Sequence, residues 1–357
     1  MSSDAITNRK GKRRLTTVLD IAVSAGVAPM TVSRVINDSG YVSKEMRERV
    51  QRAIDKLGYR PNALARSLKR RRTHVVGILV SDIANPFSAQ LAGSIQQVLL
   101  EKGYTAFVSI TESAQGEQAA LDAFFDHRVD GVVVATVETV AGNEALARIA
   151  KQGMPIVGVG RAISQPAVDR VTADNWRGAF QAVEHLISLG HKRIGFIGAS
   201  LLNAGRLTRF QGFADCLREH GLPIAKELII GPESEFGPGF STQADGYDGM
   251  KRLLELSRPP TAVFARNDFT AIGAICAARD SGLTIPDDIA LVGFDNVPLA
   301  AYATPPLTTV AQPTTEQGQK AARMLLERIE GLTSREGREA CFNCQLIIRE
   351  STLKRDR

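Results

Sequence analysis

Four cysteines in 357 residues, at positions 216, 276, 341 and 344, are too few to staple a fold. Cys341 and Cys344 form a lone CxxC with neither a second pair nor a nearby histidine, which argues against zinc. Reduced thiols in a cytoplasm fit this usage best. No apolar run reaches membrane-spanning length, and no apolar segment follows the basic N-terminus as a secretory signal requires. Catalytic signatures are missing too: there is no GxSxG, no phosphate-binding GxxxxGK[ST] and no HExxH. The GVG at 158–160 is not a GxGxxG fingerprint, and the five histidines are scattered, with His191 in LGHKRI reading as a turn-ordering residue. The expectation is a protein that is not an enzyme and needs no metal or cofactor.

What is present is ordinary globular composition, 44% hydrophobic and 23% charged, over a length sufficient for two or three domains. The charge is unevenly placed. Residues 1–72 hold 17 Lys and Arg against 6 Asp and Glu, a net +11. The whole chain is +6, so the remainder carries −5. A basic head on an acidic body points to a polyanion partner for the head alone.

Residues 1–14 end in the run RKGKRR and read as an arm that contacts DNA phosphates without sequence preference. Val18, Ile21 and Ala22 then recur at helical spacing behind Thr17, a candidate N-cap. Gly26 suits a tight inter-helix turn. Pro29 opens a second helix whose inward stripe is Val32, Val35 and Ile36. Its other face carries Pro29, Met30, Ser33, Arg34 and Asn37, a mixture able to touch phosphates, base edges and thymine methyls in a major groove. A helical hairpin with a solvated polar face is the competing reading of the same spacing. A third helix runs from a Ser43 cap through Val50, Ile54 and Leu57 to Gly58. Asn62 can cap a helix of about two turns reaching Leu68, too short to hold in water without something to pack against. Leu68 among arginines is either a surface leucine in a linker or a residue with a partner.

From His74 the pattern changes to strand-like apolar runs alternating with amphipathic helices: VVGILV, YTAFVSI, DGVVVA and PIVGV, then HKRIGFIG, a strand near Leu228, TAVFARND and IALVGFD. Alternation of this kind predicts parallel, doubly wound sheets, and its repetition predicts two lobes with a ligand cleft beyond the strand carboxyl ends. Asp82 and Phe87, Arg209, Asn267 and Asp295 fall at those ends. Helix capping is the alternative for the polar ones, Asn85 and Asp268 in particular.

GVAPMTVSRVIN, VSKEMRERV, GYRPNALARSL and VVGILVSDIANPF together resemble the LacI family of bacterial transcription regulators, and the likeness extends over nearly the whole chain. The resemblance implies a small all-α helix-turn-helix domain followed by a two-lobed, periplasmic-binding-protein-like α/β effector domain. The expected boundaries are 1–60 for the head with its arm and 61–72 for the hinge helix and linker. One lobe is expected at 73–160 plus 312–332 and the other at 161–311 plus 333–357. It further implies that Met30, Ser33 and Arg34 read bases, that Thr31 and Asn37 anchor the backbone, and that Thr17, Pro29 and Asn62 join the DNA interface. Leu68 would wedge into the minor groove. For a small-molecule effector it implies hydrogen bonds from Arg209, Asn267, Asp295 and Gln312, with Asp82 and Phe87 beside them. Phe240 would stack on it, Phe236 being the alternative because the spacing to Gly246 is one residue longer than usual. Ala28 departs from the Ser usual at the recognition-helix cap, at a cost of about 1 kcal/mol; Ser81 replaces the usual Pro.

The reading is a ligand-controlled repressor, a homodimer on palindromic operator DNA, answering to a sugar or sugar acid. The final residues lack the leucine heptads of a tetramerising tail. A purine co-repressor and a stand-alone solute-binding protein are the alternatives, the second disfavoured by the basic head.

Overall fold

The computed structural model describes residues 16–59, 72–111, 113–135, 140–160, 168–199, 208–231, 242–334 and 336–353. Asn62, Leu68, Arg161, Arg206, Phe236 and Phe240 lie outside them. The chain divides into a unit ending at Thr73 and a body beginning at His74.

In the head, α1 (Val18–Ala25), α2 (Pro29–Ile36) and α3 (Lys44–Leu57) each contribute one fully buried residue, Ile21, Val32 and Val50. Ala22, Ala25, Val35 and Ala53 complete that core, with Val27, Ile54, Leu57 and Tyr59 packed against it. So few apolar side chains make a thin core, and backbone detail matters correspondingly.

The body is an alternation of strand and helix: β1 (Val75–Val80), α4 (Pro86–Glu101), β2 (Thr105–Ile110), α5 (Ala114–Asp126), β3 (Gly131–Ala135), α6 (Val140–Lys151), β4 (Ile156–Val159) and β5 (Asp169–Ala173). After α7 (Asn175–Ser188) come β6 (Ile194–Ile197), α8 (Thr208–Glu219), β7 (Ile229–Ile230), α9 (Gln243–Leu254), β8 (Ala262–Ala265), α10 (Asp268–Asp280) and β9 (Ala290–Asp295). The last elements are α11 (Pro298–Tyr302), β10 (Thr308–Ala311), α12 (Thr314–Glu330), β11 (Glu339–Phe342) and β12 (Gln345–Ile347). Two six-stranded sheets result, ordered β11-β5-β4-β3-β1-β2 and β12-β10-β9-β8-β6-β7. All pairings are parallel except β12 on β10. Strands such as β4, β6, β8 and β9 are apolar without alternation because helices cover both faces of each sheet. Among the described residues no single helix is long and apolar enough to cross a membrane.

The chain crosses between the sheets three times: from β5 into α7 at Asp174, from β10 into α12 at Gln312 and Pro313, and from β11 into β12 at Asn343 and Cys344. The lobe limits expected from sequence differ here. Asp169–Ala173 and Glu339–Phe342, both assigned to the second lobe, pair with each other in the first sheet. The sequence DRVTA hides this strand because it opens on an acid. Asp169 is nevertheless fully buried, its carboxylate taken by Arg328 at 2.5 Å and Arg338 at 2.7 Å. Caps set the helix starts: α9 begins at Gln243, fixed by a Thr242–Asp245 capping box, and α10 at Asp268, behind the Asn267 cap.

Candidate functional site

The head site is a face of α2, held out by the turn before it. Thr17 and Asp20 form a reciprocal capping box at the start of α1, and Gly26 ends that helix with φ 62°. Arg49 of α3 reaches back to donate to the carbonyls of Ala25 at 2.7 Å and Gly26 at 3.3 Å, satisfying orphan acceptors at the helix end. The sequence reading missed this contact, and i-to-i+24 spacing gave no signal for it. The axes of α1 and α2 meet at 107°, within the helix-turn-helix range of about 90–120°. Ala28 occupies the N-cap with no side-chain bond, followed by Pro29 in the first turn. Pro29, Met30 and Arg34 are exposed, Met30 at 65%, while Thr31 and Ser33 are half-buried. Asn37 caps the C-terminus and donates its amide to the Ser33 carbonyl (2.7 Å) and hydroxyl (3.2 Å). One face therefore offers a guanidinium, a thioether, a hydroxyl and an amide side by side.

The body site lies where β9 ends, at the carboxyl end of an interior strand of the second sheet. Arg209, near the start of α8, stacks its guanidinium 3.8 Å above the Phe294 ring. Its Nε donates to Asn175 Oδ1 (2.9 Å), Nη1 to the Arg266 carbonyl (2.6 Å) and Nη2 to Asp295 Oδ1 (3.0 Å). Gln312 Nε2 donates to the same Asp295 oxygen at 2.7 Å. Asp295 and Asn296 both adopt positive φ, 107° and 54°. The first is a strained conformation for a residue with a side chain. Arg349 holds the turn by donating to Asn296 Oδ1 at 2.7 Å. Burial pushes the Asp295 carboxyl above its ordinary value, against the opposing pull of the Arg209 charge and the Gln312 bond.

Arg209, Asp295 and Gln312 are thus brought together, with the Arg266 carbonyl among them, and Asn175 and Phe294 join them unforeseen. Asn267 is buried and caps α10, its Oδ1 accepting from Thr270 N at 2.8 Å. The cap at this strand end is Asn267, whereas Asp268, considered for that role, points inward. Thr309 Oγ1 donates to Asp268 Oδ1 at 2.5 Å and Val297 N to Oδ2 at 2.8 Å. Burial, with the Asp295 charge nearby, pushes the Asp268 carboxyl up to about 8. Asn85 caps α4 by accepting from Phe87 N. On the first lobe Asp82 accepts from Ala84 N at 2.7 Å, and half-buried Phe87 packs beside the core. No hydrogen bond or ion pair joins Asp82 to the Arg209 network among the described residues.

Residues 17–62 match the model for bacterial regulatory proteins of the lacI family, and residues 183–352 match that for a periplasmic binding protein-like domain. Fold and site together define a helix-turn-helix head joined to a body of the two-lobed binding-protein type. The chain is 36% identical over 343 residues to the HTH-type transcriptional regulator DegA of Bacillus subtilis, covering 94% of this chain and 98% of that protein. It belongs to the LacI family, a family of DNA-binding transcription regulators and not of enzymes. It is also 34% identical over 342 residues to the transcriptional repressor PurR of Mannheimia succiniciproducens, covering 95% and 99%. Among solved structures it resembles a complex of the regulator CelR with cellobiose, at 33% identity and TM-score 0.70, covering 94% and 99%. It resembles a lac repressor dimer bound to operator and the anti-inducer ONPF at 26% identity and TM-score 0.82, covering 96% and 100%.

Proposed function

We propose that this regulator is a repressor, that it binds a palindromic operator as a homodimer, and that a sugar or sugar acid held between the lobes controls it. The observation that carries the effector reading is the Arg209–Asp295–Gln312 network. It presents a charged donor fork, a carboxylate acceptor and an amide within one hydrogen-bonded group. Vicinal hydroxyls, which both donate and accept, satisfy such a set, and a sugar carboxylate would meet Arg209 as a fork-to-fork pair. Arg266 beside Arg209 adds a second cation, which favours the acid. The likeness to the cellobiose-bound CelR supports a sugar. The PurR relatives favour a purine as second reading. Arg34, Met30 and Ser33 read base edges, Pro29 and Thr31 with Thr17 and Asn37 fix the helix against the backbone, and Asn62 and Leu68 complete the operator contact. Asp82, Phe87, Asn267 and Phe240 complete the effector pocket.

The test is a thermal-shift screen of sugars, sugar acids and purines on the full chain, run in parallel on Arg209→Ala. A ligand at 100 times its Kd stabilises by about 2.7 kcal/mol. The expected result is a shift from a sugar or sugar acid that Arg209→Ala abolishes. A shift from purines alone replaces the sugar reading, and a shift that survives the substitution moves the site elsewhere.

A further inference from the structure

The bonds around Arg209 do more than assemble a pocket. Asn175 and Gln312 belong to two of the three segments that cross between the sheets, and both end on the same network. Starting from the first sheet, Asn175 Nδ2 donates to the carbonyl of Ala173, the last residue of β5, at 3.2 Å. Asn175 Oδ1 accepts from Arg209 Nε, Arg209 Nη2 donates to Asp295 Oδ1, and Gln312 Nε2 donates to that same oxygen. The third crossing is tied in by the Asp174 N–H, which donates to the Phe342 carbonyl at 2.8 Å. An unbroken chain of hydrogen bonds therefore runs from one crossing to another through the two charged groups assigned to the effector.

We propose that Asn175 is a positioning residue, the latch through which the state of the Arg209–Asp295 pair sets the crossing segments and hence the arrangement of the lobes. This rests on the effector reading above and adds to it the route of transmission. Two features decide which end of the chain gives way. The Asp295 end is anchored: its backbone is strained, Arg349 braces the adjoining turn, and burial leaves the carboxylate little room. The Asn175 end is held to Arg209 by a single side-chain bond. Three of the five guanidinium N–H groups are used, one on each nitrogen, leaving a second N–H on each Nη for a ligand. A ligand pulling on those Nη groups rotates the planar fork as a unit, so Nε swings with it and the Asn175 bond lengthens.

The test needs no ligand, so it stands whether or not the effector is a sugar. Hydrogen exchange is followed on the full chain for the amides of Asp174 and of the 339–344 segment in Asn175→Ala, Arg209→Ala, Arg209→Lys, Asn175→Asp and the double alanine variant. Asn175→Ala and Arg209→Ala should each speed exchange there roughly tenfold, the expected effect of losing a charge-assisted bond. The double variant should be no faster than either single one, since all remove the same link. Arg209→Lys guards against a fold defect: it keeps the charge but cannot hold Asn175 and Asp295 together, and it should match Arg209→Ala. Asn175→Asp keeps the acceptor for Arg209 but has no N–H for the Ala173 carbonyl, so it cuts the chain at the first sheet and should exchange as fast as Asn175→Ala. Additive effects, effects confined to the mutated segment, or native protection in Asn175→Asp would overturn the latch. Loss of the sugar response in the screen would sink the effector reading and leave this result untouched.

Discussion

Arg34 is the residue on which the proposed sequence discrimination by the head rests most directly. It is exposed on the outward face of α2, where a bidentate pair with a guanine edge is worth about 1–3 kcal/mol of discrimination. Arg34→Ala should therefore weaken binding to the operator roughly tenfold or more relative to random DNA. Gel shifts on both, at one salt concentration, measure the ratio; an equal loss on each would make Arg34 a phosphate contact only. Asp169 is the corresponding residue for the stability of the body. Burial pushes its carboxyl up, but the Arg328 and Arg338 bonds outweigh burial and hold it net below the usual range. A carboxyl depressed in the folded state stabilises above its unfolded value and loses that contribution as pH falls through the folded one. Asp169→Asn leaves Arg328, itself nearly buried, without its counter-charge, and breaking a buried pair costs about 3–5 kcal/mol. Urea unfolding near neutral pH should show that loss, and between pH 5 and 3 the variant should lose less stability than the native chain.

At the scale of elements, the turn between α1 and α2 is the most constrained piece of the head. A Cβ at Gly26 would sit 2.8 Å from Arg49 Nη2 on a backbone with φ 62°. Gly26→Ala should cost about 1–3 kcal/mol and loosen the Arg49 contact. Ala28→Ser should act oppositely, because it supplies the missing side-chain cap of α2 and returns about 1 kcal/mol. Amide exchange of α2 in the full chain separates the two, and slower exchange in Gly26→Ala would refute the turn argument. The same elements show how far pattern reading reached. The three head helices and the strands β1, β3, β4, β6, β8 and β9 were legible because periodicity or unbroken apolar runs mark them. β5, β10, β11 and β12 were not: each is short, and DRVTA, TTVA, EACF and QLI mix polar and apolar residues. Arg209, Asp295 and Gln312 came from family resemblance, since nothing in their spacing joins them. Asn175 looked like the first residue of an ordinary helix, and only the folded chain shows that its amide faces a guanidinium 34 positions away.

For the whole molecule, the exposed edge of the first sheet is its most telling surface. β2 is the last strand on that edge, and Phe107, Val108 and Ile110 are each about half exposed, at 47%, 47% and 51%. An apolar open edge invites pairing with another chain. A second copy is the occupant that the homodimer proposed above would place on this edge. Phe107→Lys with Val108→Lys should convert a dimer to monomers in sedimentation and weaken operator binding at least tenfold, because two linked heads bind far better than one. A doubly substituted chain that stays dimeric would move the interface to another face.

The three crossings also have a consequence for how this protein is made. β11 and β12 are the closing edge strands of the two sheets, and both lie beyond residue 338. A ribosome releases the chain from its N-terminus, so neither lobe finds its last strand until the residues beyond 338 have emerged. Until then β5 and β10 remain open edges, in two half-built domains at once. A frameshift shortly before Glu339 would leave both lobes incomplete, whereas in a protein built as two successive segments it would spare the first. Both lobes of the nascent chain therefore keep an uncovered strand edge open to wrong partners until those residues emerge.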